Sequence, residues 1–95
     1  MKKSEKAKKD REFSATIRSI GYCEKCGNTT TLQCCHIFSR RFVNMRWDER
    51  NVLCLCAKCH FWGHDNPLLF AEFVKDYKGE DIYNELIRLR NEVGK

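Results

Sequence analysis

The sequence contains no long apolar run, no internal repeat, no glycine-rich phosphate loop and no Ser-His-Asp pattern. These absences argue against a transmembrane segment, a repeat architecture, a P-loop nucleotide site and a serine hydrolase. The chain opens instead with Met-Lys-Lys-Ser-Glu-Lys-Ala-Lys-Lys-Asp-Arg, which is not a secretory signal. We therefore expect a cytoplasmic protein that works in a reducing compartment and has no membrane partner.

Seven cysteines are many for 95 residues, a length that suits one domain but leaves little apolar surface to offset the entropy of folding. Four of them form two C-x-x-C pairs, Cys23 with Cys26 and Cys56 with Cys59. The two-residue spacer lets both sulfurs of a pair approach one ion at ~2.3 Å, which predicts a structural Zn²⁺ site. A redox C-x-x-C would need a βαβ context that is absent, and an odd cysteine count does not favour a disulfide framework.

Three cysteines, Cys34, Cys35 and Cys54, remain outside these pairs. Cys54 alternates with two leucines in a short strand-like run, which is typical of a small buried apolar residue. Because Cys54 is so close to Cys56, the sequence leaves open which of the two sulfurs binds the metal.

Positive charge is concentrated at the start of the chain. Lys and Arg number 18 against 13 Asp and Glu, a net charge of +5, and the first eleven residues hold six basic and two acidic side chains. We expect residues 1–11 to form a flexible basic arm that contacts DNA phosphates and releases counterions. Composition alone supports a solvated, solubilising tail nearly as well.

Apolar spacing predicts the secondary structure of the central part. A short helix should pass through Phe13, Ile17 and Ile20. Strands are expected from Thr29 to Cys35 and from Asn51 to Leu55, and a helix over residues 57–64 should carry His60 and His64 at i, i+4 on one face.

The C-terminal third predicts two helices, the first opened by Asn66-Pro67 and ended by Gly79. Their apolar stripes suit core packing, although either stripe could also form the face of a homodimer. The stripes are Leu69, Phe70, Phe73, Val74 and Tyr77, then Ile82, Leu86, Leu89 and Val93. We therefore expect one α+β domain with an arm over residues 1–11, a zinc-stabilised core over 12–66 and a helical pair over 67–95.

One histidine, His36, precedes the segment Asn51-Val52-Leu53-Cys54-Leu55-Cys56-Ala57-Lys58-Cys59-His60. This pattern resembles the HNH endonuclease signature in a ββα-metal zinc scaffold, with the three letters at His36, Asn51 and His60. The flanking Ser39-Arg40, Arg46-Trp47-Asp48-Glu49 and Asn66 are similar to the lambdoid phage recombination endonucleases called NinG or Rap. The resemblance covers about residues 23–66 and implies a phage or prophage protein acting in a bacterial host cell.

The resemblance implies a role for each of these residues. His36 would be the general base at the end of the first strand, and Asn51 would hold the connecting loop. His60, with His64, would bind a divalent ion that stabilises the departing 3′ oxygen, with Mg²⁺ or Mn²⁺ favoured and Ni²⁺ or Zn²⁺ as alternatives. Beside such a centre, phosphate contact is the favoured interpretation of three arginines, Arg40, Arg41 and Arg46.

Other interpretations of the histidines stay open. His60 directly follows a C-x-x-C pair and could be a ligand of the structural zinc. His64 could simply cap a helix end or be exposed to solvent there. Cys35 stands where many HNH enzymes carry Asp or His as a second metal ligand. It could be a bystander, it could recruit a softer ion, or it could weaken the site, because Mg²⁺ prefers oxygen ligands.

The sequence therefore predicts a metal-dependent DNA endonuclease that acts on duplex or branched DNA with weak sequence preference. Two further interpretations remain. One is a zinc module that binds nucleic acid without cutting it, and the other is a protein–protein adaptor that uses the C-terminal helices.

Overall fold

The computed structural model describes residues 1–93; the side chain of Val93 and residues 94 and 95 lie outside the described part, so their places in the predicted helical pair are not described. Within the described chain there are four helices and a two-stranded sheet, which confirms the predicted α+β class. In chain order the elements are α1 (Lys3–Arg18), β1 (Leu32–His36), β2 (Val52–Cys56), α2 (Ala57–Asp65), α3 (Pro67–Lys78) and α4 (Glu80–Val93). Two short 3-10 turns, Val43–Met45 and Glu49–Asn51, lie between the strands.

The two strands pair antiparallel, with Leu32 opposite Cys56 and His36 opposite Val52. The first strand begins later than expected because Thr31 adopts a left-handed conformation with φ of 55°, which ends the preceding turn. Asn51 lies in a 3-10 turn rather than in a strand. The second strand is buried along its whole length and runs directly into α2, so β1, β2 and α2 form one ββα unit.

The basic N-terminal segment is helical, contrary to the expected flexible arm. Helix α1 starts at Lys3, so the predicted boundary after residue 11 falls inside it. Lysine, glutamate, alanine and arginine dominate this segment, and all four have high helix propensity. The helix is also held by packing, because Ile17 is buried and Phe13 packs beside it against the sheet.

The sheet has a core on each face. Val52 and Cys54 lie under α1 with Ile17. Leu53 and Leu55 face the other way and pack with Val74 of α3. The alternation of side chains along β2 therefore places α1 on one face of the sheet and α3 on the other.

The C-terminal helices pack on the ββα unit and on each other. Leu86 of the predicted α4 stripe is fully buried. Leu69 and Tyr77 of the predicted α3 stripe are exposed, so the α3 stripe is not entirely core. A Cβ atom built at Gly63 would lie 2.8 Å from Cδ1 of Phe70, so glycine permits the close approach of α2 and α3. None of the described helices has both the length and the apolar character needed to cross a bilayer.

Candidate functional site

The four cysteines of the C-x-x-C pairs come together in space. Their sulfur atoms all lie within 4.8 Å of one another, and those of Cys26 and Cys56 are 3.7 Å apart. Two sulfurs held ~2.3 Å from one tetrahedral ion would lie about 3.8 Å apart, so the donor set has dimensions suited to Zn²⁺. All seven cysteines belong to the described chain and none forms a disulfide. The cluster could therefore hold a structural metal such as zinc.

The first cysteine pair is anchored to the second strand by Glu24. The Glu24 amide donates to the Cys54 carbonyl at 2.8 Å, and the Cys54 amide donates to Glu24 Oε2 at 2.7 Å. Burial raises the pKa of the Cys23 thiol, but hydrogen bonds from the backbone amides of Cys56, Cys26 and Lys25 outweigh it and bring the pKa to about 6. The same amides that lower the pKa would stabilise a thiolate bound to a cation.

The other three cysteines are not part of this cluster. Cys34 and Cys54 are cross-strand partners, and Cys54 is fully buried beneath α1, in keeping with its expected role as a small apolar residue. Burial, with a smaller contribution from Cys34, raises the pKa of the Cys35 thiol to about 12. Its buried position therefore favours the neutral thiol over the thiolate that a metal would bind.

His36 is the last residue of β1, and its ring is held by the loop that follows. Its Nε2 lies 2.9 Å from the carbonyl oxygen of Arg46. A carbonyl can only accept, so Nε2 carries the proton and, in the neutral ring, Nδ1 has the free lone pair. The ring therefore presents Nδ1 as its basic atom.

The Asn51 side chain stabilises the same loop, which joins β1 to β2. Its side chain is fully buried and makes three hydrogen bonds: Oδ1 accepts from the Phe38 amide at 2.8 Å, and Nδ2 donates to the carbonyls of Phe38 at 3.0 Å and Met45 at 3.1 Å. Met45 directly precedes Arg46, whose carbonyl holds His36. These contacts suit the role of holding the connecting loop that the resemblance implies for Asn51, and that role stays a prediction.

His60 and His64 stack on one face of α2, with ring centroids 4.9 Å apart. The Gln33 side-chain oxygen lies 2.6 Å from His60 Nδ1 and accepts its proton, which leaves the lone pair on Nε2. Burial, followed by the neighbouring His64 and His36, lowers the pKa of His60 and favours the neutral ring. Two imidazoles at i, i+4 form a pair that could bind a divalent cation.

All three histidines line a polar cleft of about 570 Å³. Its second wall comes from α1, through Asp10, Phe13 and Ser14. The same three histidines also line a smaller cavity of about 290 Å³, whose other walls include Pro67, Phe70 and Tyr83. The histidines thus form a ridge between a polar and a largely apolar depression.

The sequence did not predict the contribution of α1 or of Gln33 to this site. Because the composition of residues 1–11 predicts a flexible arm, it does not predict that Asp10 forms part of a wall. A signal for Gln33 is present, because alternation along β1 places it two residues before Cys35 and on the same face of the strand, where the Gln33 side chain is exposed. That signal identifies an exposed side chain but not its partner on α2.

The three predicted phosphate-binding arginines lie in different surroundings. Arg40 is exposed and lines the polar cleft. Arg46 was expected to contact DNA, but its side chain is only 18 % exposed and forms a two-point ion pair with Asp10, at 3.0 Å and 2.6 Å. Arg41 lies against the Phe42 ring and outside the lining of both cavities. Of the three, Arg40 is the one placed to meet a ligand in the cleft.

A basic stripe on α1 continues from the cleft. Arg11, Ser14 and Arg18 follow one another at helical spacing and line a shallow depression together with Asp10. Ser14 borders both this depression and the polar cleft. The stripe therefore leads from the histidines along the exposed side of the helix.

Comparison with protein-family models, with curated proteins and with solved structures finds no match to this chain. The function is therefore argued from the arrangement of the site.

Proposed function

We propose that this protein is a metal-dependent endonuclease that hydrolyses phosphodiester bonds in DNA, with His36 as the general base. The observation that carries this proposal is the hydrogen bond from His36 Nε2 to the Arg46 carbonyl, which makes Nδ1 the basic atom of a ring that lines one cleft with His60 and His64. An imidazole whose ring is fixed by a hydrogen bond and lines a polar cleft is suited to take a proton from water.

The proposed reaction is a hydrolytic displacement at phosphorus. His36 Nδ1 takes a proton from a water molecule as the water oxygen bonds to the phosphorus. The bond from phosphorus to the 3′ oxygen breaks, and that oxygen leaves with the electron pair. A divalent cation held by His60 and His64 would supply Lewis-acid stabilisation of the charge on the phosphate and the leaving oxygen.

The ligands in the cleft bear on which cation would bind. His60 and His64 offer imidazole nitrogens, and Asp10, the one carboxylate in the described lining of the polar cleft, is already paired with Arg46. Imidazole suits Ni²⁺ and Zn²⁺, whereas Mg²⁺ and Mn²⁺ prefer oxygen ligands. We therefore place Ni²⁺ and Zn²⁺ ahead of Mn²⁺ and Mg²⁺ as the working ion.

The basic surface supports DNA as the polyanion. The chain has a net charge of +5, Arg40 borders the cleft, and the stripe of Arg11, Ser14 and Arg18 extends it along α1. No base-reading element is evident in the described chain, so phosphate contacts would dominate binding, on duplex or branched DNA.

Cleavage of supercoiled plasmid, with each of the four divalent ions added in turn, tests the proposal. The wild-type protein should nick the plasmid, and His36→Ala should lower the rate by about 10²–10⁴-fold, the contribution of a general base. Arg41→Gln, outside both cavities, is the matched control and should cut at nearly the wild-type rate. Zinc content and circular dichroism of each variant show whether the fold is intact.

A non-catalytic zinc module that binds nucleic acid is the second candidate. The cysteine cluster and the basic helix favour it, because neither needs the histidines. A wild-type protein that shifts DNA on a gel but stays inert with every ion would replace the nuclease proposal with this one. Metal titration separates the two independently, since the nuclease requires a second, weaker site besides the tightly bound zinc.

A further inference from the structure

We infer that Asp10, on α1, is a positioning residue that fixes the tautomer and orientation of His36 by holding Arg46. The inference rests on the proposed function insofar as it treats His36 as the base. The contact itself, however, is a property of the folded chain and can be measured without DNA.

Three residues form a continuous chain of contacts. Asp10 accepts two hydrogen bonds from the Arg46 guanidinium, from Nε at 3.0 Å and from Nη2 at 2.6 Å. The backbone carbonyl of the same Arg46 accepts the hydrogen bond from His36 Nε2 at 2.9 Å. The side chain of Arg46 is thus tied to α1 while its backbone holds the histidine.

The ion pair has the features of a strong one. It is bidentate, which fixes the guanidinium plane, and the two side chains are only 18 % and 20 % exposed. Trp47 Nε1 donates to the same carboxylate at 3.0 Å, so Asp10 anchors two consecutive residues of the loop. The hydrogen bond from Arg46 lowers the pKa of Asp10 despite its partial burial, so the carboxylate stays charged at neutral pH.

The position of the Arg46 carbonyl depends on these contacts because a further hydrogen bond on the Arg46 backbone, from its amide to the Val43 carbonyl, is long at 3.3 Å and lies on the preceding peptide. Asn51 fixes the loop through the carbonyl of Met45, one residue earlier. Arg46 itself lies just after the 3-10 turn Val43–Met45. If Asp10 is lost, the Arg46 carbonyl can turn away from His36, and the Nε2 proton loses its acceptor.

The experiment is ¹⁵N NMR of the histidine rings in the zinc-loaded protein, without DNA or added divalent ion. At about pH 8.5, about two units above the ordinary histidine pKa, the shifts report the two neutral tautomers. In the wild-type protein, His36 should be protonated on Nε2. In Asp10→Asn and in Arg46→Lys, we expect the Nε2–H to Nδ1–H ratio to fall by about tenfold, the loss of a hydrogen bond worth ~1.4 kcal/mol.

The matched control is Arg50→Lys. Arg50 forms a comparable two-point ion pair with Asp48 in the same loop, at 3.1 Å and 2.6 Å, but neither residue contacts His36. This variant should keep the wild-type tautomer. Asp10→Glu keeps a carboxylate and can restore the ion pair, so its tautomer ratio should lie between those of Asp10→Asn and the wild-type protein. A purely structural role for Asp10 would show no such dependence on the carboxylate.

Two results would overturn the inference: an unchanged tautomer in both Asp10→Asn and Arg46→Lys, or an equal change in Arg50→Lys. If Asp10→Asn fails to load zinc, Trp47→Phe takes its place as the test. This variant removes one hydrogen bond to the carboxylate and should lower the tautomer ratio by a smaller factor. Plasmid cleavage separates this inference from the proposed function. A tautomer that responds in a protein that never cuts DNA rejects the nuclease and leaves the contact established.

Discussion

The cysteine cluster and the histidine cleft are built on the same ββα unit but are held in different ways. The cysteines are two local pairs, and three of the four are buried. Two of the three histidines are fixed by groups from elsewhere: His36 by the loop carbonyl of Arg46, and His60 by Gln33 on the first strand. A wall of the cleft comes from α1. The structure of the cysteine cluster should therefore depend on one bound metal ion, whereas the geometry of the cleft should depend on many separate contacts.

Removal of the metal should have the largest effect and should destroy both regions together. Structural zinc contributes roughly 10–16 kcal/mol of apparent binding free energy, as much as or more than the ~5–15 kcal/mol stability of a typical domain. We expect chelation, or Cys59→Ser, to unfold the chain, as measured by circular dichroism and by zinc analysis.

The control for that prediction is Cys34→Ala, which removes a half-buried thiol outside the cluster. It should keep one zinc per chain and unfold at a temperature close to that of the wild-type protein. A chelated protein that kept its secondary structure would mean that the two cores of the sheet stabilise the fold without metal.

Asn51→Ala should disturb the cleft and leave the cysteine cluster loaded. The change removes three hydrogen bonds and leaves the amide of Phe38 without its partner. We expect a loss of about 2–4 kcal/mol in the free energy of unfolding, since each unsatisfied buried group costs about 1–3 kcal/mol. Urea unfolding measures the loss, and metal analysis should still give one zinc.

Asn44→Ala serves as the matched control for Asn51. Asn44 is exposed and donates one hydrogen bond, to the carbonyl of Leu89 at 2.9 Å. Its loss should cost about 0.5–1 kcal/mol. Equal losses in the two variants would show that burial of Asn51 does not strengthen its hold on the loop.

Gly63→Ala should alter the apolar side of the histidine ridge. The added Cβ would meet the Phe70 ring at 2.8 Å, so the ring and α3 must move. Overpacking typically costs about 1–3 kcal/mol and exceeds the gain of ~1 kcal/mol in helix propensity, so we expect net destabilisation of about 1 kcal/mol by urea unfolding. Phe70→Leu in the same chain should relieve the clash. If the double variant is no more stable than the sum of the single effects predicts, the two residues do not compete for this space.

The two regions also differ in how far the sequence predicts them. The spacing of Cys23, Cys26, Cys56 and Cys59 describes two short turns, and tetrahedral coordination requires little more than that they meet. Likewise, His60 and His64 share a helix face by periodicity alone. The contacts of Asp10 with Arg46 and of Gln33 with His60 join residues about 30 positions apart or more, and no local pattern specifies such pairs. The α+β class and the cysteine cluster were therefore predictable, whereas the α1 wall was not.

The last and smallest expected effect rests on the proposed DNA binding and compares the α1 stripe with the first cysteine turn. Arg11 and Arg18 lie on the α1 stripe beside the cleft, while Lys25 lies in the first cysteine turn and stacks on Trp62 at 4.2 Å. Each phosphate contact contributes about 0.9 to the slope of log affinity against log salt concentration. Arg11→Gln and Arg18→Gln should each lower that slope by nearly one unit, and Lys25→Gln should leave it unchanged, as measured by anisotropy of a labelled duplex. If the slope fell equally in all three variants, binding would depend on the net charge alone, because Lys25→Gln removes the same charge at a position away from the cleft and the α1 stripe. A slope that fell only in Arg11→Gln and Arg18→Gln would place the DNA along α1, with its phosphates leading towards His36.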